Sequence, residues 1–504
     1  MSAPQDTFEK VVAHVHEIKL LGSVQALLDW DQQTQLPAAG ADYRAEQLTY
    51  MAGKIHQLAT APQFGDWLDE LAGSELAADP HSDTGCTIRE LKYRYDKKKK
   101  LPLPLVEAQA KLHSKGQQVW VKARKENDFA SFQPVLKEIF QLKREEAQAV
   151  SVSDCLYDGL LDDYEPGANT SAVEKALTEL KEGLIPLIEK TRDAGSQSDG
   201  VLNRHFPVAA QRTFATEATQ QIGFDYQRGR LDIAPHPFCT EIGPDDCRIT
   251  TRYREDYFAS AFFGCLHEAG HGMYEQGLQA KHYGLPMGSY CSLGLHESQS
   301  RLWENLVGRS EGFWKHLFPS AMQHFPESLG GCSLQDFCTE INQIKPSLIR
   351  VEADEATYNL HIIIRFELEQ ALLNDQLAVA DLPAAWNEKY QSYLGIHPES
   401  DSNGCMQDVH WSAGLVGYFP TYSLGNIYAS QLYEKAEADL GNLEQQFAEG
   451  NFSNLLQWMR THVHESGNRY RAHELMQRIT GSALDHGPII RHLTRKADRL
   501  CVST

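Results

Sequence analysis

The stretch Cys265-Leu266-His267-Glu268-Ala269-Gly270-His271-Gly272 contains the pattern His-Glu-x-x-His. Helical residues four apart share one face a turn apart, so His267 and His271 can offer two imidazole nitrogens to one metal ion. Glu268 sits beside them, where it can take a proton from an attacking water. The flanks favour a helix: Tyr257, Phe258, Ala261, Phe262, Cys265, Leu266 and Ala269 make a dense apolar surface at helical spacing. Gly270 and Gly272 each cost about 1 kcal/mol of helix propensity. Glycines there are expected to leave backbone and cleft open beside the metal. The competing reading is an amphipathic helix with two satisfied histidines.

A catalytic site of this kind needs a third protein ligand and an open fourth position. The class that closes the motif as His-Glu-x-x-His-x-x-Gly-x-x-His is excluded, because Tyr274 and Gly277 stand at the required positions. The other solution is a glutamate on a following helix. Leu295-His296-Glu297-Ser298-Gln299-Ser300-Arg301 offers one after the break Gly284-Leu285-Pro286-Met287-Gly288-Ser289. Glu297 is preferred; spacing leaves His296, His282 and Glu304 open. A complete site of this type hydrolyses an acyl bond, with Glu268 as general base and then proton donor to the leaving amine.

The bulk of the chain sets limits. At 504 residues, with 42% hydrophobic and 23% charged residues, it has the composition of an ordinary globular protein. Its net charge of −21 argues against a nucleic-acid binder, which must neutralise phosphates. The start, Met1 to Lys10, lacks the basic and apolar regions of a secretory signal, and no apolar run suggests a membrane span. The 10 cysteines are scattered without a Cys-x-x-Cys pair, as free thiols of a reducing compartment would be, and the cytoplasm is expected.

In chain order, the first hundred residues read as helices, with a break at Leu36-Pro37-Ala38-Ala39-Gly40. The run Lys97 to Lys100 reads as a solvated helix end before Pro102 and Pro104. Leu105 to Val152 is helical in pattern, and Asp193 to Gly200 is a loop. Ile249-Thr250-Thr251-Arg252-Tyr253 reads as an edge strand just ahead of the metal helix, suited to receiving an extended peptide. Pro346 to Leu373 reads as a long helix and Gly404 to Gly425 as irregular. No composition break cuts the chain, so residues 1–504 are expected to form a single, mainly α unit with a small β element near the metal helix.

These residues resemble the Taq-type metallocarboxypeptidases. The match includes Asp29-Trp30-Asp31-Gln32-Gln33 with Arg44-Ala45-Glu46-Gln47-Leu48, Asn127-Asp128-Phe129, and Asp158 to Gly167. It continues through His236-Pro237-Phe238, Asp246-x-Arg248-x-Thr250, the metal motif and His296-Glu297-Ser298-Gln299-Ser300. Ile349 to Glu355, Gly404 to Trp411 and Tyr418-Phe419-Pro420-Thr421-Tyr422 complete it. The resemblance implies a carboxypeptidase of broad specificity that uses one divalent metal per chain, zinc or alternatively cobalt. It also implies a nearly all-helical homodimer with two lobes flanking a deep groove, neurolysin-like in architecture, and Glu297 as the metal glutamate. Its substrates are peptides with a free C-terminus, whose α-carboxylate a guanidinium fork fits; Arg350 is the first candidate. His410 and Tyr422 are candidates for the substrate terminus or the oxyanion. Related zinc peptidases carry an acid four residues after the metal glutamate, where this chain has Arg301, and Asp354 is the candidate carboxylate orienting a metal histidine. Asp246, Arg248 and Thr250 fit equally a structural knot under the groove. The runner-up is an oligopeptidase of the same chemistry cutting internally; a helical scaffold that holds no metal is the non-enzymatic alternative.

Overall fold

Helices account for most of the chain because its apolar residues recur at helical spacing around long polar faces. The computed structural model describes residues 4–502 apart from 152 and 192–199. Val152 and all but Gly200 of the loop at Asp193 therefore lie outside the described residues. Pro4–Thr34, Ala41–Ala59, Pro62–Ala72 and Asp83–Lys99 open the chain. The stretch from Leu105 is two helices, Leu103–Glu126 and Phe129–Val150, because Asn127 turns to a left-handed φ of 53° and Asp128 caps the second through Ser131 N at 3.2 Å.

Two cores result. Val11, Val15, Phe64, Leu68, Ile88 and Tyr95 fill a small one among the N-terminal helices, while the main core runs from Leu112 to Leu500. Polar and cationic contacts join them. The Trp30 ring lies under the guanidinium groups of Arg230 and Arg248, at 5.1 and 4.3 Å. Lys19 meets Glu241 at 2.5 Å and Arg471 meets Glu90 at 2.8 Å across the boundary, while Arg44 holds Asp31, next to Trp30, at 2.7 Å on the N-terminal side. The Asp29–Gln33 and Arg44–Leu48 blocks are thus part of a seam. Across it opens a cavity of about 820 Å³ lined by residues of both cores' helices and of the sheet. Pro4–Thr34 is long and apolar enough to cross a membrane by length and composition; in this fold it buries Val11, Val15 and Trp30 within the protein.

The sheet has three strands, β1 (Gly229–Ile233), β2 (Cys239–Gly243) and β3 (Asp246–Thr251), in the order β1-β3-β2. β3 is parallel to β1 and antiparallel to β2. This corrects the edge strand expected at Ile249: β3 is central, with both sides already paired. Strand order comes from pairing between segments, which local β-propensity does not encode. The edge facing the cavity is β2, through Cys239, Thr240, Glu241 and Gly243. Thr250 Oγ1 accepts from Phe238 N at 2.9 Å, and Arg248 pairs with Asp246 at 2.7 Å, so these two motif blocks form one knot beneath the cavity.

Two further expectations are revised. Helix begins only at Thr357 (Thr357–Leu373), because Asp354 accepts from Ala356 N at 2.9 Å and Thr357 N at 3.1 Å and starts it there. The irregular segment from Gly404 ends at Phe419, where Pro420 opens the helix Pro420–Leu440 and puts Tyr422 and Gly425 on it.

Candidate metal centre

The motif lies on the helix Phe258–Gly277. Its first half is held by aromatic packing: Phe262 stacks on Phe214 and Phe258 at 5.1 Å each, and Trp314 lies 5.2 Å away. Its second half carries the histidines. The glycines serve close packing, not openness. A Cβ on Gly270 would lie 2.5 Å from Gln299 O and 2.7 Å from Ser300 Cα, and one on Gly272 would lie 2.5 Å from the Phe224 ring. Gly270 is therefore where the helix Leu293–Arg301 crosses against the motif helix, bringing Glu297 to the histidines.

Glu297 Oε2 lies 3.3 Å from His271 Nε2 and 3.6 Å from His267 Nε2. Donors around a tetrahedral zinc with bonds of about 2.0–2.1 Å stand about 3.3 Å apart, so these separations fit one small divalent ion. The three ligand atoms all lie within 4.8 Å of one another. Of the rival third ligands, His282 pairs with Asp83 at 3.2 Å, and His296 binds Glu275 at 2.9 Å while stacking on His271 at 4.4 Å.

Glu304 has a different part. Its Oε2 lies 2.8 Å from His267 Nδ1, the contact that fixes a ligating imidazole with its other nitrogen toward the metal. It reaches that position from a π-helical turn, Leu302–Val307, directly after the ligand helix. Asp354, expected in this role, is instead committed to Lys345 N, Ala356 N and Thr357. Arg301 spans the two acids, its Nε 2.7 Å from Glu297 and its Nη1 3.1 Å from Glu304. Sequence reasoning counted Glu304 only as a ligand; a π-turn, which leaves no mark on apolar spacing, hid its true aim. Replacing it in Glu304→Gln is expected to weaken metal binding about 10- to 100-fold, read by chelator competition, with little change in melting temperature.

Electrostatics follow from burial. It pushes the Glu268 carboxyl up to about 7, with His267 opposing and Glu297 and Glu304 adding to the rise. Burial also takes His271 down to about 3, whereas Glu297 and Glu304 overcome burial at His267 and hold it up to about 9. Arg301 and His267 outweigh burial at Glu297 and keep it well below the usual range, ready to ligate as a carboxylate.

The other chosen residues also gather. His410 Nε2 lies 3.1 Å from Tyr422 Oη, and the Arg350 guanidinium sits 5.0 Å from the Tyr422 ring. Arg350 is buried, pairs with Asp408 at 2.8 Å and donates to Tyr358 Oη at 2.9 Å. Arg365 shares the same Asp408 at 2.6 Å. Arg301 stacks on Tyr358 at 4.3 Å, which links this cluster to Glu297 and Glu304. The Asp158–Gly167 block has a supporting part. Glu165 accepts from Gly294 N at 3.0 Å and Tyr428 Oη at 3.1 Å, anchoring the first turn of the ligand helix.

A helical frame carrying His-Glu-x-x-His, a glutamate from the next helix and an orienting acid defines a metallohydrolase. Residues 10–497 match the model of the carboxypeptidase Taq (M32) metallopeptidase family. The chain is 46% identical over 503 residues to thermostable carboxypeptidase 1 of Thermus thermophilus, covering 98% of each. It is 37% identical to carboxypeptidase 1 of Bacillus subtilis, over 94% of this chain and 95% of that protein. The crystal structure of an M32 carboxypeptidase from Deinococcus radiodurans superposes with a TM-score of 0.96 at 37% identity, over 99% of this chain and 100% of that one. The chain belongs to the carboxypeptidase Taq (M32) family and is a metallocarboxypeptidase.

Proposed function

We propose that the protein removes single residues from the free C-termini of peptides of broad sequence. In this reading His267, His271 and Glu297 hold one divalent ion, zinc first and cobalt as the alternative, and Glu268 is the general base. The observation that carries it is the convergence of three ligand atoms on one point beside Glu268, next to the Arg350, His410 and Tyr422 cluster. A divalent ion held by His267, His271 and Glu297 would supply Lewis acidity to the carbonyl and to water. Glu268 takes the proton of the attacking water and delivers it to the leaving amine. Tyr422, whose hydroxyl burial keeps well above its usual range, stays protonated and is a donor for the oxyanion or the substrate terminus. Burial takes His410 down to about 4, so it faces Tyr422 as a neutral imidazole.

Arg350 and Arg365 share one carboxylate, Asp408, which leaves one buried positive charge for an α-carboxylate to neutralise. Amidating the C-terminus of a test peptide is therefore expected to lower kcat/KM about 100-fold. Equal cleavage of acid and amide would favour the internally cutting oligopeptidase.

Residues 1–504 are read as one catalytic unit whose lobes flank the cavity, acting in the cytoplasm as a homodimer without nucleic-acid or membrane partners. Exposed Leu20, Val24, Leu27, Tyr43 and Tyr50 on the first two helices support the dimer. A monomeric sedimentation mass, a metal other than zinc or cobalt on elemental analysis, or recovery outside the cytosolic fraction would each contradict its part of this reading.

A further inference from the structure

We propose that Arg94 and Lys98 form a subsite for an acidic side chain upstream of the scissile bond, making the enzyme prefer peptides with Glu or Asp there. The inference rests on the carboxypeptidase reading, which puts the substrate's last residue at the Arg350 cluster. The cavity comes nearest the metal centre at His296, which lines it and stacks on His271 at 4.4 Å, while His267, Glu268, His271 and Glu297 themselves lie behind that ring and do not line it. Arg350, His410 and Tyr422 do not line it. In this proposal the peptide preceding the scissile bond runs past His296 and along this cavity.

The charges along that path are unevenly matched. Every acid lining the cavity has a partner. Glu90 meets Arg471 at 2.8 Å, Glu241 meets Lys19 at 2.5 Å, and Glu275 meets His296 at 2.9 Å. Asp162 and Asp163 share Lys97 at 2.8 and 2.5 Å, and Glu146 meets Lys143 at 2.8 Å. Arg94 and Lys98 also line the cavity, one turn apart on the helix Asp83–Lys99, and among the described residues neither has an ion-pair partner. The nearby Asp163 shares Lys97 with Asp162, so that trio keeps one net negative charge, which acts on Lys98 without forming an ion pair with it and leaves Arg94 the unmatched cation. The tetralysine run is the solvated helix end expected at Lys98, Lys99 and Lys100, whereas Lys97 ties the helix to Asp162 and Asp163; Lys98 also lines the cavity. Both side chains are exposed at the cavity; partial desolvation there and repulsion from Arg94 lower the Lys98 amine against the pull of Asp163, and a substrate carboxylate between the two cations would relieve that repulsion. The chain's net charge of −21 repels acidic peptides at long range, so the preference must come from this local pair and act at a fixed position.

The test uses N-acetylated alanine-rich octapeptides with one C-terminal residue, in which a single Glu is moved through the upstream positions. The wild type is expected to show a maximum at one or two positions, with kcat/KM about fivefold above the all-alanine peptide, mainly through KM and shrinking with added salt. In the double variant Arg94→Gln/Lys98→Gln that ratio is expected to fall to about one. In Arg94→Glu/Lys98→Glu the maximum should appear instead for a moved Lys. A flat wild-type profile, or a maximum that survives charge reversal, would overturn the proposal. C-terminal amides of the same peptides separate the two readings, since amides cut as fast as acids would sink the C-terminal anchor whatever the upstream profile shows.

Discussion

Glu268→Gln is expected to leave the protein folded and fully metal-loaded while kcat falls about 1,000-fold. Glutamine matches glutamate in shape and keeps the helix, and the three proposed ligands are untouched. What it cannot do is accept a proton. General-base catalysis contributes about 10²–10⁴ in rate, and Glu268 suits the task by position, as the buried carboxyl next in sequence to His267 and one turn from His271 on the same helix. The assay pairs turnover of a blocked peptide with the metal content of the same preparation. Unchanged kcat at full metal loading would remove Glu268 from the proton-transfer step. Loss of the metal together with activity would instead make Glu268 a structural support of the site.

What the sequence disclosed follows the range of the forces involved. His267 and His271 were legible because helical periodicity is local and their spacing sets their common face. Glu297 was one candidate among four by spacing and stood out through the resemblance, since the crossing that brings it in depends on Gly270 meeting the backbone of Gln299 and Ser300. Glu304 stood only as a rival to Glu297 for the third ligand, because spacing does not show the π-turn that aims it at His267 Nδ1. Asp354 was misassigned because its local bonds, to Ala356 N and Thr357 N, outcompete a distant metal histidine. The same cap explains why the helix expected from Pro346 starts at Thr357. β3 was found as a strand but put at the edge, because its partners at Gly229–Ile233 and Cys239–Gly243 are mixed, half-polar segments. Arg350, His410 and Tyr422 came from separate blocks, and only the fold brings them together.

Gly270→Ala is expected to act on the metal through packing alone. The added methyl has no room: Gln299 O stands 2.5 Å and Ser300 Cα 2.7 Å from where it would be, and both are backbone atoms that cannot rotate aside. The ligand helix must shift outward, yet on its far side Gly425 already lets the helix Pro420–Leu440 press against Glu297, where a Cβ would lie 2.5 Å from Glu297 Cγ. Glu297 is thus gripped between two glycine contacts, and movement at Gln299 carries it off the point it shares with His267 and His271. Overpacking of this kind costs about 1–3 kcal/mol of stability, and metal affinity should fall about 100-fold, as when a group holding a ligand in place is lost. Gly272→Ala is the discriminating comparison. Its methyl would strike the Phe224 ring at 2.5 Å, away from the ligand helix, so it should destabilise the fold while metal affinity is retained. Denaturant unfolding and chelator competition on both variants read the two effects separately. If Gly270→Ala binds zinc as tightly as the wild type, the crossing does not position Glu297, and the site must be held by Arg301 and Glu165 instead.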